Sequence, residues 1–177
     1  MGRNGLRSAF IKPWLLPICH RMMANNLVKT MLAGALALAP SAVAAESCTG
    51  TPGGNAVKLI VQATGLRNGN GEVAFTVYAD DKKRFLAKGG KLARVRVPTH
   101  APVTTACFWL PAGKYAVAQY HDENGDRNFN RTLWAPKEGF GFSNDAPTSI
   151  GLPALDAARF TLPAGGRTLS MAMRYRR

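Results

Sequence analysis

Acidic side chains are scarce in this sequence, ten against 23 lysines and arginines, for a formal net charge of +13. Histidine is scarcer still. Only His100 and His121 follow residue 45, too few for a zinc centre built on imidazoles. The longest apolar run, Met31 to Ala39, is far below the roughly 20 residues a membrane-spanning helix needs. Internal repeats and a sustained helical period after residue 45 are also missing, which argues against solenoids and helical bundles. Cysteine occurs three times, at Cys19, Cys48 and Cys107.

What is present at the N-terminus is a targeting pattern. Arg3, Arg7, Lys12, Arg21 and Lys29 precede the apolar run, Pro40 and Ser41 end it, and Ala42-Val43-Ala44 offers the small-x-small site of a signal peptidase. The expectation is a signal peptide over 1–44 and one domain over 45–177, periplasmic or secreted and without a transmembrane segment. Met22 or Met23 could equally be the start. Every acid follows Ala44 while only five basic residues precede it, so the exported chain stays basic.

Export removes Cys19 and leaves Cys48 and Cys107 in an oxidising compartment. The simplest reading is a disulfide. It would close a loop of about 60 residues, a constraint worth about 4 kcal/mol in the chain-entropy model. The alternative keeps Cys107 as a small buried hydrophobe and Cys48 as a free thiol near the terminus.

Beyond residue 55 the pattern alternates. Val57, Leu59, Val61 and Ala63 share one side of a strand, and Val73, Phe75, Val77 and Ala79 share one side of the next. Asn68-Gly69-Asn70-Gly71 between them has tight-hairpin chemistry, so these strands are expected to pair antiparallel. Further strands are read at 93–97, at 103–110, from Lys114 into His121-Asp122, at 160–162 and around Leu169 to Tyr175. About seven strands punctuated by turns predict an all-β fold, an antiparallel β-sandwich of immunoglobulin-like or transthyretin-like type. Residues 145–156 have room for one helical turn.

Residues 82–96 carry Lys82, Lys83, Arg84, Lys88, Lys91, Arg94 and Arg96 with no acid. With Ala93, Val95 and Val97 facing inward, Arg94 and Arg96 would face water as a strand's ordinary solvated side. The functional alternative is a patch for an anionic envelope surface. Nucleic acid is not expected as a partner, because stacking aromatics are not interleaved with these charges and the chain is exported.

The densest polar stretch is His121 to Asn130, followed by Pro136 to Asp145. Asp122, Asn124, Asp126, Asn128 and Asn130 occupy positions 1, 3, 5, 7 and 9 of an EF-hand-like spacing, which can gather oxygens around calcium. Two features depart from it. Arg127 stands where a glycine permits the sharp turn, and Leu133 stands where a closing glutamate belongs. The loop therefore reads first as a self-bonded Asx turn and second as a cation site. His121, Asp122 and Glu138 could also serve a hydrolase of unknown class, but Ser143 lacks the glycine pattern of a nucleophile elbow.

Gly113-Lys114-Tyr115-Ala116-Val117, His121-Asp122-Glu123-Asn124-Gly125 and Pro136-Lys137-Glu138-Gly139-Phe140-Gly141-Phe142-Ser143-Asn144 together resemble the exported bacterial family catalogued as domain of unknown function 2141. The resemblance spans about Val57 to Tyr175. It implies that His121, Asp122, Asn124, Gly125, Pro136, Glu138, Gly139, Gly141, Phe142, Ser143 and Asn144 form the family's conserved binding or structural edge, and it implies no activity. The family loop usually reads His-Asp-Glu-Asn-Gly-Asn-Gly-x-x-Asp. Here Arg127 replaces its second glycine, Asn130 its later acid, and Trp134 a common glycine. The expected function is an exported binding or structural module of unknown ligand.

Overall fold

The computed structural model describes residues 47–132, 135–148 and 151–175. The expected signal peptide, Leu133 and Trp134 lie outside them. Among the described residues, eight strands form two sheets. The first holds β4 (Val103–Pro111), β1 (Ala56–Thr64) and β8 (Arg167–Ala172), in that order. In the second, β3 (Ala93–Pro98), β2 (Glu72–Ala79), β5 (Gly113–Asp122) and β6 (Gly139–Phe142) lie side by side, and β7 (Phe160–Leu162) pairs with the start of β5. A 3-10 turn at Ser143–Asp145 and a short helix α1 (Leu155–Ala158) complete the described elements.

The sheets close on each other as the alternation requires. Leu59, Val61 and Ala63 from β1, Val73, Phe75 and Val77 from β2, and Phe108, Val117, Leu169 and Met171 form one buried cluster between them. A smaller cluster of Ala116, Phe142, Ala146, Leu155 and Ala158 covers part of the second sheet's other face. Its central strands are therefore buried on both sides, unlike a sheet with one wet face. The Sγ atoms of Cys48 and Cys107 are 2.03 Å apart, at disulfide distance.

The fold is an all-β sandwich as expected, but its wiring differs. β1 and β2 do not pair. β1 lies antiparallel to β4 and parallel to β8, while β2 lies between β3 and β5. Residues 65–71 carry the chain from one sheet to the other, and their glycines serve that crossing. Gly71 has φ +64°, and a Cβ there would lie 1.9 Å from the backbone oxygen of Asp122. The eighth strand, β6, went unread because Gly-Phe-Gly-Phe has no β-branched residue and two glycines. β8 also ends at Ala172, short of the expected Tyr175.

Candidate functional site

The register of the second sheet assembles the site. Asp122, the last residue of β5, pairs with Glu72 at the start of β2. On the other side His121 pairs with Gly139, so the next step of the same register sets Glu138 opposite Asp122. Directly opposed residues share a face, and like charges so placed repel. Three carboxylates thus stand in a row across β2, β5 and β6 on the face turned away from the main core.

Loop residues 123–130 fold back over that row. Asp126 joins it, and one carboxylate oxygen each from Asp122, Asp126 and Glu138 lie within 4.8 Å of one another. Asp122 is wholly buried, Glu138 is buried, and Asp126 is exposed. Phe129 pins the loop down, its ring edge-on to Tyr120 at 5.4 Å and to Phe140 at 6.0 Å. This apolar anchor sits inside a polar loop, where no alternation marks it.

Arg96 reaches into the cluster from β3. Its guanidinium donates to Asp122 Oδ2 at 3.0 Å, to Glu72 at 3.4 Å, to the Arg127 carbonyl at 2.9 Å and to the Tyr120 hydroxyl. The expectation that Arg96 faces water is corrected: it lies on the outer face, but buried acids draw it in, leaving its side chain 17% exposed. Arg94 stays exposed and donates to Thr76 Oγ1 at 2.7 Å. The rest of the basic stretch disperses, Lys82 pairing with Asp156 while Lys91 borders the site.

At its sixth position the loop has the backbone conformation of a calcium loop despite the departures in sequence. Arg127 adopts φ +61°, the left-handed conformation expected of glycine at that position. Its N–H donates to Asp122 Oδ2 at 2.7 Å. The N–H groups of Asp126 and Asn128 donate to Asn124 Oδ1 and Asp126 Oδ1 as Asx turns. The self-bonded turn is therefore real. Glu138, immediately before β6, brings a third carboxylate beside Asp122 and Asp126.

Two electrostatic features distinguish this cluster from a solvated acidic patch. Asp122 Oδ1 is buried with no hydrogen-bond partner, a costly state for a carboxylate oxygen. Burial raises the Glu138 carboxyl above its ordinary range; bonds from Asn130 oppose this, and neighbouring Asp122 and Asp126 add to it. Asn130 Nδ2 bridges Asp126 Oδ2 at 2.8 Å and Glu138 Oε1 at 3.2 Å. Turned over, that amide would present Oδ1 to a cation. Exposed Asp126 is held below its ordinary range by Asn130, Asn128 and Asn124.

The remaining motif residues make their contacts within the fold. His121 points to the opposite face from Asp122 and is wholly buried. Its Nε2 donates to the Asn70 carbonyl at 2.7 Å, and its Nδ1 lies 2.6 Å from the Tyr175 hydroxyl. Glu123 is gripped by Arg67 and Asn68. Ser143 is buried and accepts from the Val117 N–H at 2.9 Å, an arrangement without a free nucleophile. Asn144, at φ +57°, donates to the Arg159 carbonyl at 2.7 Å. Gly139 and Gly141 allow close approach: a Cβ at Gly139 would meet the Tyr175 ring at 2.3 Å, and one at Gly141 the Ala172 carbonyl at 2.4 Å. Pro136 bridges to Arg131, and Phe142 fills the smaller cluster.

Comparison with known proteins places this arrangement in a group. The family model described as "Uncharacterized protein conserved in bacteria (DUF2141)" matches residues 61–170, more than half the chain. The chain belongs to DUF2141. No curated protein and no solved structure matches it. The DUF2141 segment includes the whole carboxylate row and the loop residues Asp126, Arg127 and Asn130. No helix among the described residues is long and apolar enough to cross a membrane.

Proposed function

We propose that this DUF2141 protein is an exported binding module whose loop, from Asp122 to Glu138, takes one hard divalent cation, calcium being the ion it suits. The observation carrying this reading is the convergence of Asp122, Asp126 and Glu138 within 4.8 Å around a buried Asp122 carboxylate with one unpartnered oxygen. Charge supports it. Among the described residues the ion pairs of these four acids, Glu72, Asp122, Asp126 and Glu138, are made by Arg96 and Arg127, and the excess of two negative charges matches one divalent ion.

Calcium fits better than magnesium because the donors are varied oxygens on an irregular loop, where flexible coordination by six to eight ligands is tolerated. Asp122, Asp126 and Glu138 would hold the ion, with Asn124 and Asn130 as amide donors. The ion would screen the repulsion that the sheet register imposes. Export is supported by the leader pattern and by the disulfide-distance pair of cysteines.

The test is thermal unfolding with EDTA or with calcium. A ligand that binds only the folded chain at tenfold its dissociation constant stabilises by about 1.4 kcal/mol, enough to raise the midpoint by several degrees in a domain of this size. A midpoint unchanged at millimolar calcium would overturn the proposal.

A further inference from the structure

Beside the carboxylate row lies a cleft of about 540 Å³. Lys91, Arg94, Arg96 and Arg127 line it against a single carboxylate, Glu72. Leu92, 47% exposed, supplies an apolar wall. Two of the cations come from the edge strand β3, one from the turn before it and one from the loop over β5, so the fold gathers charges that are far apart in sequence. Among the described residues neither Lys91 nor Arg94 makes an ion pair. Arg94 is nonetheless oriented, because Thr76 accepts from its Nε and the Tyr78 hydroxyl lies beside its guanidinium.

We infer that this cleft binds a phosphomonoester carried on a small organic body the size of a sugar. The inference goes beyond the cation site and stands without it. Glu72 and Asp122 already engage Arg96 and Arg127, which leaves the two positive charges of Lys91 and Arg94 to meet a phosphate dianion, and a guanidinium fork matches phosphate oxygens. Phosphate alone would fill little of the volume, which lies in the usual range for small-molecule sites. Leu92 and the Ala93 backbone offer the organic body a surface. Arg96 is shared, one nitrogen on Asp122 and Glu72 and the other on Tyr120 and the Arg127 carbonyl, so the cleft's deepest charge is already positioned.

The experiment is calorimetric titration of the purified protein with glucose 6-phosphate at low salt, in EDTA so that the carboxylate cluster plays no part. Inorganic phosphate and glucose are titrated in parallel. A saturable one-site isotherm for glucose 6-phosphate is expected, with weaker binding of inorganic phosphate and none of glucose. Lys91→Ala and Arg94→Ala, both exposed positions, should each weaken binding about tenfold, the loss of a charged hydrogen bond. Lys83→Ala and Arg84→Ala, outside the cleft, should leave it unchanged. Absence of saturable binding, or equal weakening by the distal pair, overturns the inference in favour of diffuse basicity. Inorganic phosphate binding as tightly as the sugar phosphate overturns the assignment of an organic body.

Discussion

Replacing Arg127 by glycine and by alanine separates the backbone's demand at that position from the side chain's. Arg127 has φ +61°, and a left-handed conformation costs a residue with a Cβ roughly 1–2 kcal/mol. Glycine removes that cost but loses about 0.4–1 kcal/mol through the greater freedom of its unfolded chain. Either substitution removes the ion pair to Glu72 at 3.2 Å, made by a side chain 74% exposed and so worth about 0–1 kcal/mol. The Arg127→Gly variant should therefore match the parent within about 1 kcal/mol. Arg127→Ala keeps the strain and loses the pair, so it should be the less stable of the two by about 1 kcal/mol, a few degrees in thermal midpoint. Urea unfolding of the three proteins in EDTA reads this order. An alanine variant as stable as the glycine variant would mean that position 127 is not held left-handed, and the calcium-loop backbone would fall with it. In calcium, Arg127→Gly should bind more tightly than the parent because a positive charge has left the loop.

Other expectations follow from the same geometry. Gly71→Ala should cost at least about 2 kcal/mol, from left-handed strain and collision with the Asp122 carbonyl; stability equal to the parent would contradict the described crossing. Cys48→Ser should lower stability in urea by about 4 kcal/mol under oxidising conditions and by nothing once the parent is reduced. A loss in both conditions would show that the cysteine acts by packing. Bonding to Arg67, against the opposing effect of burial, holds Glu123 below its ordinary range, so the folded protein takes up that proton less readily than the unfolded chain. Its stabilisation is present above about pH 4.5 and is lost as pH falls through the folded value. Glu123→Gln should remove that part of the acid limb, and an identical pH profile would refute it. Asn130→Asp, which restores the family's acid, should tighten calcium binding; a weaker or unchanged affinity would show that Asn130 lies outside the ion's shell.

The strands with clean alternation, β1, β2 and the central β5, were legible because burying one face imposes a period of two. Their partners were not. Asn68-Gly69-Asn70-Gly71 has hairpin chemistry, but the residues that β1 and β2 bury face each other across the sandwich, and pairing side by side would have left β1 without its covering sheet. The same limit hid the site. Asp122, Asn124 and Asp126 stand out by spacing, Glu138 by its motif and Arg96 by its basic stretch, but that these and Glu72 meet depends on the register of β2, β3 and β5 and the strand after Glu138, which no local pattern carries. Arg127 misled in the other direction. Its identity spoke against a calcium turn, yet the hydrogen bond from its N–H to Asp122 holds the backbone in the conformation that glycine would have adopted freely.

Cation binding at the carboxylate row is tested most directly by anomalous diffraction from crystals grown in calcium. One peak should lie among Asp122, Asp126 and Glu138, with their oxygens at about 2.3–2.6 Å from it, and it should vanish in Glu138→Gln crystals. A map without that peak, or with calcium only elsewhere on the surface, would contradict the proposed function.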